Sequence, residues 1–180
     1  LIGNEAVRSG YEVRVSETFG ISQRGGPVVT HIRIGKDIHS ALMMEHSADL
    51  VIGFEPAEAY RNAMKFLKPK GKVVMNIQPV YTSGGVNAYP DLDQMISVMK
   101  QRGFEVITLN ATKIAKEAGS PIMTNIVMLG AASRYLPFDR ESLIQTVRNS
   151  LKRDIDKNIL AFTEGESETL KQSGQQGVIN

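Results

Sequence analysis

The feature that most constrains the fold of this chain is a set of short apolar runs separated by segments with a helical pattern. The runs are ADLVIGF (48–54), KVVMNI (72–77) and FEVITL (104–109). Continuous apolar character over so few residues is typical of strands that are buried on both faces of a sheet. The intervening segments, 57–67 and 91–102, carry apolar residues at helical spacing. Alternating strands and helices predict a mainly parallel sheet with helices packed on its faces.

The remaining segments extend this α/β prediction to the whole chain. Additional strands are expected at 11–15 and 28–35, and a short third pairing at 38–40. Further helices are expected at 111–118, 121–135 and 140–151, the last capped by Asp139, with a final turn or two at 154–163. The fold class is therefore α/β, with a mainly parallel, Rossmann-like sheet flanked by helices and a helical C-terminal third.

The two ends of the sequence carry separate expectations. Residues 1–10 have the pattern of the end of a helix, whereas an α/β domain of this kind usually begins with a strand and a glycine-rich turn. We therefore expect that the first βα unit is missing. A single domain is expected over residues 1–164, followed by a polar, weakly ordered tail at 165–180.

Composition excludes several classes of function. The formal net charge is only +2 with lysine and arginine dispersed, so the sequence does not favour a nucleic-acid partner. The chain has no cysteine and therefore offers no thiolate for a disulfide, a nucleophile or an iron–sulfur cluster. No apolar run approaches the roughly 18 residues of a membrane span, and no signal peptide is evident. These features favour a cytoplasmic protein without a membrane partner.

The segment SETFGISQRGGPVVTHIRIG (16–35) contains the strongest candidate binding loop. Glycines allow backbone N–H groups to approach a ligand, and the arginine guanidinium is a permanently charged, forked donor for carboxylate or phosphate. The loop is therefore a candidate anion cradle. The alternative is a tight turn whose Arg24 pairs with Glu17 or with a helix end. The candidate residues are Glu17, Ser22, Gln23, Arg24, Gly25 and Gly26.

Other residue patterns predict neither a catalytic residue nor a metal site. The spacing of His31, His39 and His46 does not match that of a helical zinc pair, and His31 is expected to be a core or interface residue. Ser22 and Ser40 lack the G-x-S-x-G elbow of a nucleophile. The acidic pair at 91 and 93 is expected to begin a helix, where carboxylates are favoured. No P-loop or G-x-G-x-x-G motif is present.

The ordered series of motifs nevertheless resembles a known family. The pattern S-E-[TS]-x-G-x-x-Q-R-G-G followed by I-R-[IF]-G is similar to that of the gamma-type domain of the 2-oxoacid:ferredoxin oxidoreductases. It is most similar to the beta subunit of the indolepyruvate type. Further matches are ADLVIGFEPAEAYRNAMKFLKPKGKVVMN (48–76), YPD (89–91), TNIVMLGAA (124–132) and KNILAFTEG (157–165). The chain departs from the family in lacking the opening strand and its G-x-G-G-Q-G turn.

This resemblance implies a subunit that carries no cofactor and is inactive alone. The family oxidises a 2-oxoacid with coenzyme A as co-substrate to acyl-CoA and carbon dioxide, and electrons pass to ferredoxin. In the indolepyruvate type, thiamine diphosphate, Mg²⁺ and iron–sulfur clusters belong to a larger partner subunit. The resemblance implies that Arg24 and the Gly25–Gly26 backbone face an anionic group near the subunit interface, with Glu17 and Gln23 orienting it.

Several alternatives remain open at this point. Pyruvate, branched-chain and 2-oxoglutarate oxidoreductases have homologous gamma subunits, so the 2-oxoacid is not fixed. The loop could shape the subunit interface only, without a part in turnover. A stand-alone anion- or nucleotide-binding α/β module would need no redox partner and would bind its ligand as an isolated chain.

Overall fold

The computed structural model describes residues 1–18, 28–81 and 89–176, and the order of its elements follows the alternation in the sequence. The strands are β1 (Glu12–Thr18), β2 (Val29–Gly35), β3 (Ala48–Gly53), β4 (Leu67–Asn76) and β5 (Glu105–Leu109). The helices are α1 (Ile2–Arg8), α2 (Pro56–Phe66), α3 (Leu92–Gln101), α4 (Ala111–Ala118), α5 (Thr124–Ala132), α6 (Arg140–Ser150) and α7 (Ile155–Gln176).

The three predicted apolar runs form one parallel sheet in the order β3–β4–β5. Successive side chains of β4 alternate between the two faces of this sheet. Val73 and Met75 pack in one cluster with residues of α2 and α3, whereas Val74 packs in a second cluster with α4, α5, α6 and α7. The α/β prediction is confirmed, with helices on both faces of a buried parallel sheet.

The first two strands form a separate antiparallel hairpin rather than joining the parallel sheet. The pairing of β1 with β2 runs from Glu12 opposite Gly35 to Thr18 opposite Val29. Helix α1 packs against this hairpin, where Gly3 lies beside Val13 and Val15. The expected third pairing at 38–40 is wrong, because this segment is held by side-chain hydrogen bonds instead of a strand ladder.

Two helices begin at the capping residues that the sequence predicts, whereas the end of α2 is not marked by a predicted cap. Asp91 accepts a hydrogen bond from the backbone N–H of Gln94 (2.7 Å), and Asp139 accepts one from Ser142 (2.8 Å). Helix α2 ends at Phe66, and β4 begins directly after it. A Cβ at Gly71 would lie 2.9 Å from the Lys68 carbonyl oxygen, so only glycine fits this part of the strand.

The C-terminal third is helical, and α7 extends past Gly165, where the sequence predicts a weakly ordered tail, as far as Gln176. Helix α7 continues through these residues because glycines bring α5 and α7 into backbone contact. Thr169 donates a hydrogen bond to the carbonyl of Ala131 (2.8 Å) in this contact. Tertiary packing therefore orders a polar segment that sequence propensity alone does not favour. Residues 177–180 lie outside the described part of the chain.

The predicted helix 121–135 is divided by 3₁₀ turns at Pro121–Met123 and Ser133–Tyr135, with α5 between them. No helix among the described residues is long and apolar enough to cross a membrane. The assignment of residues 1–164 to a single domain stays a prediction, which a single cooperative unfolding transition would support.

Candidate functional site

The predicted binding loop joins the two strands of the hairpin. Thr18 and Val29 form the last described pair of the ladder, so the chain enters and leaves the loop at neighbouring positions. Glu17 lies opposite Thr30 on β1, is exposed, and forms no ion pair within the residues that the structure describes. The other candidates lie outside the described residues, and their roles stay predictions: Ser22, Gln23, Arg24, Gly25 and Gly26.

A second candidate site lies at the carboxyl edge of the parallel sheet. In open α/β sheets, ligands bind in the crevice outside the carboxyl ends of the strands. Here β3 leads into Phe54 and Glu55, and β4 leads into residues 77–81. Three side chains organise this edge: Glu55, Asn76 and Tyr89.

Asn76 is buried at the end of β4 and ties the neighbouring strand ends together. Its amide nitrogen donates to the carbonyl oxygen of Phe54 (3.0 Å) and to the hydroxyl of Thr112 (3.1 Å). Its amide oxygen accepts from the backbone N–H of Ala111 (3.0 Å), at the beginning of α4. Because the polar groups of this amide are engaged by the protein, Asn76 shapes the edge rather than offering free atoms to a ligand.

Glu55 and Tyr89 fasten the chain that returns from the loop after β4. Glu55 caps α2 by accepting a hydrogen bond from the backbone N–H of Glu58 (2.8 Å). The Tyr89 hydroxyl donates to the other oxygen of this carboxylate and accepts from the N–H of Ala57 (3.1 Å). A single carboxylate thus begins the helix and anchors the following segment.

The phenol of Tyr89 stays protonated across the physiological range. Burial, then the hydrogen bond to the Glu55 carboxylate, raises the pKa of Tyr89 well above its usual value. A phenol with a raised pKa is a poor general base near neutral pH. Tyr89 therefore stabilises the carboxyl edge through its hydrogen bonds and does not act as an acid–base group.

The surface left open at this edge is apolar and aromatic. Phe54 is 51% exposed, Val80 65% and Tyr81 48%. The ring of Tyr81 meets that of Tyr89 edge-on, with centroids 5.5 Å apart. This apolar rim of exposed side chains can contact a flat or apolar group. The polar groups of Glu55, Asn76 and Tyr89 are already hydrogen-bonded within the chain. The arrangement suits binding or subunit docking.

His31 performs a packing role in the hairpin, in agreement with the expectation from its place in the strand. Its Nδ1 accepts from the backbone N–H of Met43 (3.1 Å), and its ring meets Phe66 edge-on at 4.9 Å. Because Nδ1 is an acceptor, the neutral ring carries its proton on Nε2, which is buried and has no partner among the described residues. Within those residues, no group of histidine, aspartate and glutamate side chains is arranged to hold a metal ion.

A surface cavity of about 460 Å³ lies elsewhere, beyond the end of α4. Its wall contains Ser120, Asn125 and Asn158, and its charged lining residues are Arg153 and Asp154. Helix α4 begins at the carboxyl edge and ends beside this cavity. The cavity is therefore separate from both candidate sites.

Sequence reasoning missed Asn76 and the pairing of Glu55 with Tyr89. The available signal was positional, since Asn76 lies at the end of one buried apolar run and Glu55 directly follows another, where parallel strands end together. Glu55 and Tyr89 are 34 positions apart in the sequence, so no local pattern predicts their contact.

Comparison with known proteins decides the family. The model of the pyruvate ferredoxin/flavodoxin oxidoreductase family matches residues 1–168. The chain belongs to this family. It is 39% identical over 172 residues to the indolepyruvate oxidoreductase subunit IorB of Thermococcus kodakarensis, covering 92% of this chain and 85% of that protein. The IorB of Archaeoglobus fulgidus is 38% identical, with coverage of 99% and 90%. The chain is thus a subunit of an oxidoreductase.

Solved structures show the same fold at lower identity. The gamma subunit of a keto/oxoacid ferredoxin oxidoreductase from Geobacter sulfurreducens superposes with a TM-score of 0.66 at 20% identity, covering 94% of this chain and 88% of that one. A 2-oxoglutarate:ferredoxin oxidoreductase chain from Magnetococcus marinus gives 0.67 at 20% identity, covering 94% and 28%. These likenesses concern the fold alone.

Proposed function

We propose that this chain is the subunit without cofactors of a thiamine-dependent 2-oxoacid:ferredoxin oxidoreductase whose substrate is an arylpyruvate such as indolepyruvate. The observation that carries the proposal is its 36–39% identity to indolepyruvate oxidoreductase subunits over at least 92% of the chain. The reaction joins a 2-oxoacid and coenzyme A, releases carbon dioxide and acyl-CoA, and passes two electrons to ferredoxin.

The proposed division of labour places the chemistry on a larger partner subunit. In this proposal, thiamine diphosphate, Mg²⁺ and iron–sulfur clusters reside there. The absence of cysteine from the 180-residue sequence agrees with that placement of the clusters. Coenzyme A is the co-substrate, and ferredoxin is met through the assembled complex. The paired polar groups and the open apolar rim at the carboxyl edge are consistent with a binding or docking role.

The experiment is a reconstitution with the larger subunit from the same organism. Coenzyme A-dependent reduction of ferredoxin is followed with indolepyruvate, phenylpyruvate, pyruvate, 2-oxoisovalerate and 2-oxoglutarate. The proposal expects activity only when both chains are present and the highest kcat/KM with an arylpyruvate. A preference for one of the other acids would assign the chain to that type of oxidoreductase instead. Nucleotide binding by the isolated chain, with no activity in any pairing, would support the stand-alone module.

The loop of Ser22 to Gly26 is proposed to face an anionic group at the subunit interface. Arg24 and the Gly25–Gly26 backbone contact this group, whether substrate carboxylate, coenzyme A phosphate or partner carboxylate, and Glu17 and Gln23 orient Arg24. The variant Arg24→Ala should lower kcat/KM of the complex by about 100-fold without unfolding the chain. The matched control is Arg148→Ala at an exposed position of α6. Weakened assembly with normal turnover would indicate a structural loop.

A cytoplasmic location without nucleic-acid or membrane partners is part of the same proposal. Cell fractionation with antibodies to both subunits tests it, and recovery of the chain in the membrane fraction would contradict it.

A further inference from the structure

Two arginines lie side by side on the hairpin. Arg14 of β1 is directly opposite Arg33 of β2, so their side chains leave the same face of the ladder. Like charges at opposed positions on neighbouring strands are destabilising. Among the residues that the structure describes, Arg14 donates only to the carbonyl oxygen of Val13 (3.2 Å) and Arg33 only to that of Ser40 (3.0 Å). Neither forms an ion pair with a residue that the structure describes.

Within the described part of the chain, no acidic side chain forms an ion pair with Arg14 or Arg33. Glu12 is on the same face, two positions before Arg14, but its carboxylate accepts the backbone N–H of Ile38 (3.3 Å) and forms no ion pair there. Lys36 and Asp37, which follow β2, carry opposite charges and cancel. The guanidinium groups of Arg14 and Arg33 can therefore donate further hydrogen bonds to another molecule.

Exposed apolar side chains lie beside the arginines. The segment 40–44 runs along β2, held by the bond from Arg33 to Ser40 and by that from the Met43 N–H to His31. Met43 packs against the core, whereas its neighbours Leu42 and Met44 are 58% and 74% exposed. Arginine and methionine are enriched at protein interfaces relative to the remaining surface.

We propose that these four residues, named the hairpin face (Arg14, Arg33, Leu42 and Met44), dock onto the larger subunit. The inference rests on the proposed function, which requires such a partner. The contacted surface is an apolar patch bordered by carboxylates, because each guanidinium can bind a carboxylate through two parallel hydrogen bonds. Charge complementarity selects an acidic surface, and the two hydrophobic side chains lose their exposure on docking.

The test is charge reversal in the full chain. The variant Arg14→Glu/Arg33→Glu is compared with Lys100→Glu/Arg102→Glu, which makes the same change in net charge at two exposed positions, the last turn of α3 and its C-cap. The dissociation constant for the larger subunit is measured at 50 and 300 mM salt. We expect about 100-fold weaker binding for the hairpin variant and less than about a threefold change for the control. The wild-type affinity should fall with salt more steeply than that of the hairpin variant.

A second variant guards against an effect on folding. Leu42→Ser/Met44→Ser removes apolar surface from exposed positions, so circular dichroism and Tm should be unchanged while binding weakens about tenfold. Wild-type affinity in both double variants would overturn the docking proposal and leave the proposed function standing. Failure of the wild-type chain itself to bind a larger subunit would overturn the proposed function and, with it, the hairpin face.

Chemical modification distinguishes a protein partner from a small anion. Phenylglyoxal labelling of Arg14 and Arg33 is quantified by mass spectrometry with the larger subunit or with coenzyme A alone. Protection by the larger subunit alone supports docking. Equal protection by coenzyme A without the partner would show that the arginines bind a small anion, and would overturn the proposal.

Discussion

In the contact between α5 and α7, backbone meets backbone, whereas on the hairpin face side chains point to solvent with few partners. A Cβ at Gly130 would lie 2.0 Å from the carbonyl oxygen of Phe162, and one at Gly165 2.0 Å from that of Val127. On the hairpin face, Met44 is 74% exposed, and within the described residues Arg14 forms a side-chain hydrogen bond only with its neighbour Val13. The α5–α7 contact has no space for a larger side chain, whereas the side chains of the hairpin face can still bind another molecule.

This comparison distinguishes residues that stabilise the fold from residues that bind other subunits. Residues whose contacts are complete within the chain should govern the free energy of unfolding. Residues whose contacts are incomplete should govern assembly and turnover. The carboxyl edge combines both, since Asn76 and Glu55 are satisfied inside the chain while Phe54 and Tyr81 remain open.

The largest expected effect is at the α5–α7 contact. Gly165→Val places a branched side chain against the α5 backbone, and we expect a loss of about 3 kcal/mol or more in the free energy of unfolding. Urea denaturation measures it. The control is Gly3→Ala, where a Cβ meets Val15 at an ordinary 3.8 Å and the change is expected to be within about 1 kcal/mol. Equal stability of the two variants would show that the helices are not in close contact.

The next effect is at the buried end of β4. Asn76→Ala leaves the Ala111 N–H and the Phe54 carbonyl without their partner, and should cost about 2–4 kcal/mol in the free energy of unfolding. Thr112→Val removes only one partner of the same amide and should cost about 1 kcal/mol. Thermal and urea unfolding measure both. A smaller cost for Asn76→Ala than for Thr112→Val would contradict the bracing role of Asn76.

A moderate effect is expected at Tyr89, and it depends on pH. Tyr89→Phe should cost about 1–2 kcal/mol near neutral pH because the Glu55 carboxylate and Ala57 N–H lose a partner. A raised folded-state pKa means that this stabilisation is fully present below the unfolded pKa of about 10 and is lost as pH rises through the folded value.

The free energies of unfolding of wild type and Tyr89→Phe are therefore measured from pH 7 to 11. The difference between the two proteins should narrow above about pH 10. Tyr81→Phe, at the exposed ring beside it, is the control for loss of a tyrosine hydroxyl near neutral pH, and its cost in the free energy of unfolding should be smaller than that of Tyr89→Phe. A constant difference between wild type and Tyr89→Phe at all pH values would refute the assignment of the shifted phenol.

The smallest effect is expected at β5, the edge strand of the parallel sheet. The side-chain amide of Gln172 accepts from the Thr108 N–H (3.2 Å) and donates to the Thr108 carbonyl (2.7 Å), so α7 covers the free edge of β5. Gln172→Ala should cost about 0.5–1 kcal/mol in the free energy of unfolding. Hydrogen exchange at the Thr108 amide should also become faster. Unchanged exchange there, with Gln101→Ala as the control, would contradict the edge-covering role.

The sequence predicts the parallel sheet well because strands buried on both faces need continuous apolar runs, which are local patterns. The caps at Asp91 and Asp139 are equally local. Helix α7 beyond Gly165 is not predictable in this way, because its order depends on contact with α5. The contact of Glu55 with Tyr89 and the pairing of Arg14 with Arg33 are known only once the folded structure is known, because each joins residues that are distant in the sequence. The loop residues Ser22 to Gly26 stay a prediction from family resemblance.

Hydrogen exchange of the chain alone and in complex with the larger subunit tests the central comparison most directly. The account predicts slower exchange on binding at β1, β2, segment 40–44 and the carboxyl edge, with no change along the α5–α7 contact. Protection confined to α5 and α7, with the hairpin unchanged, would contradict it.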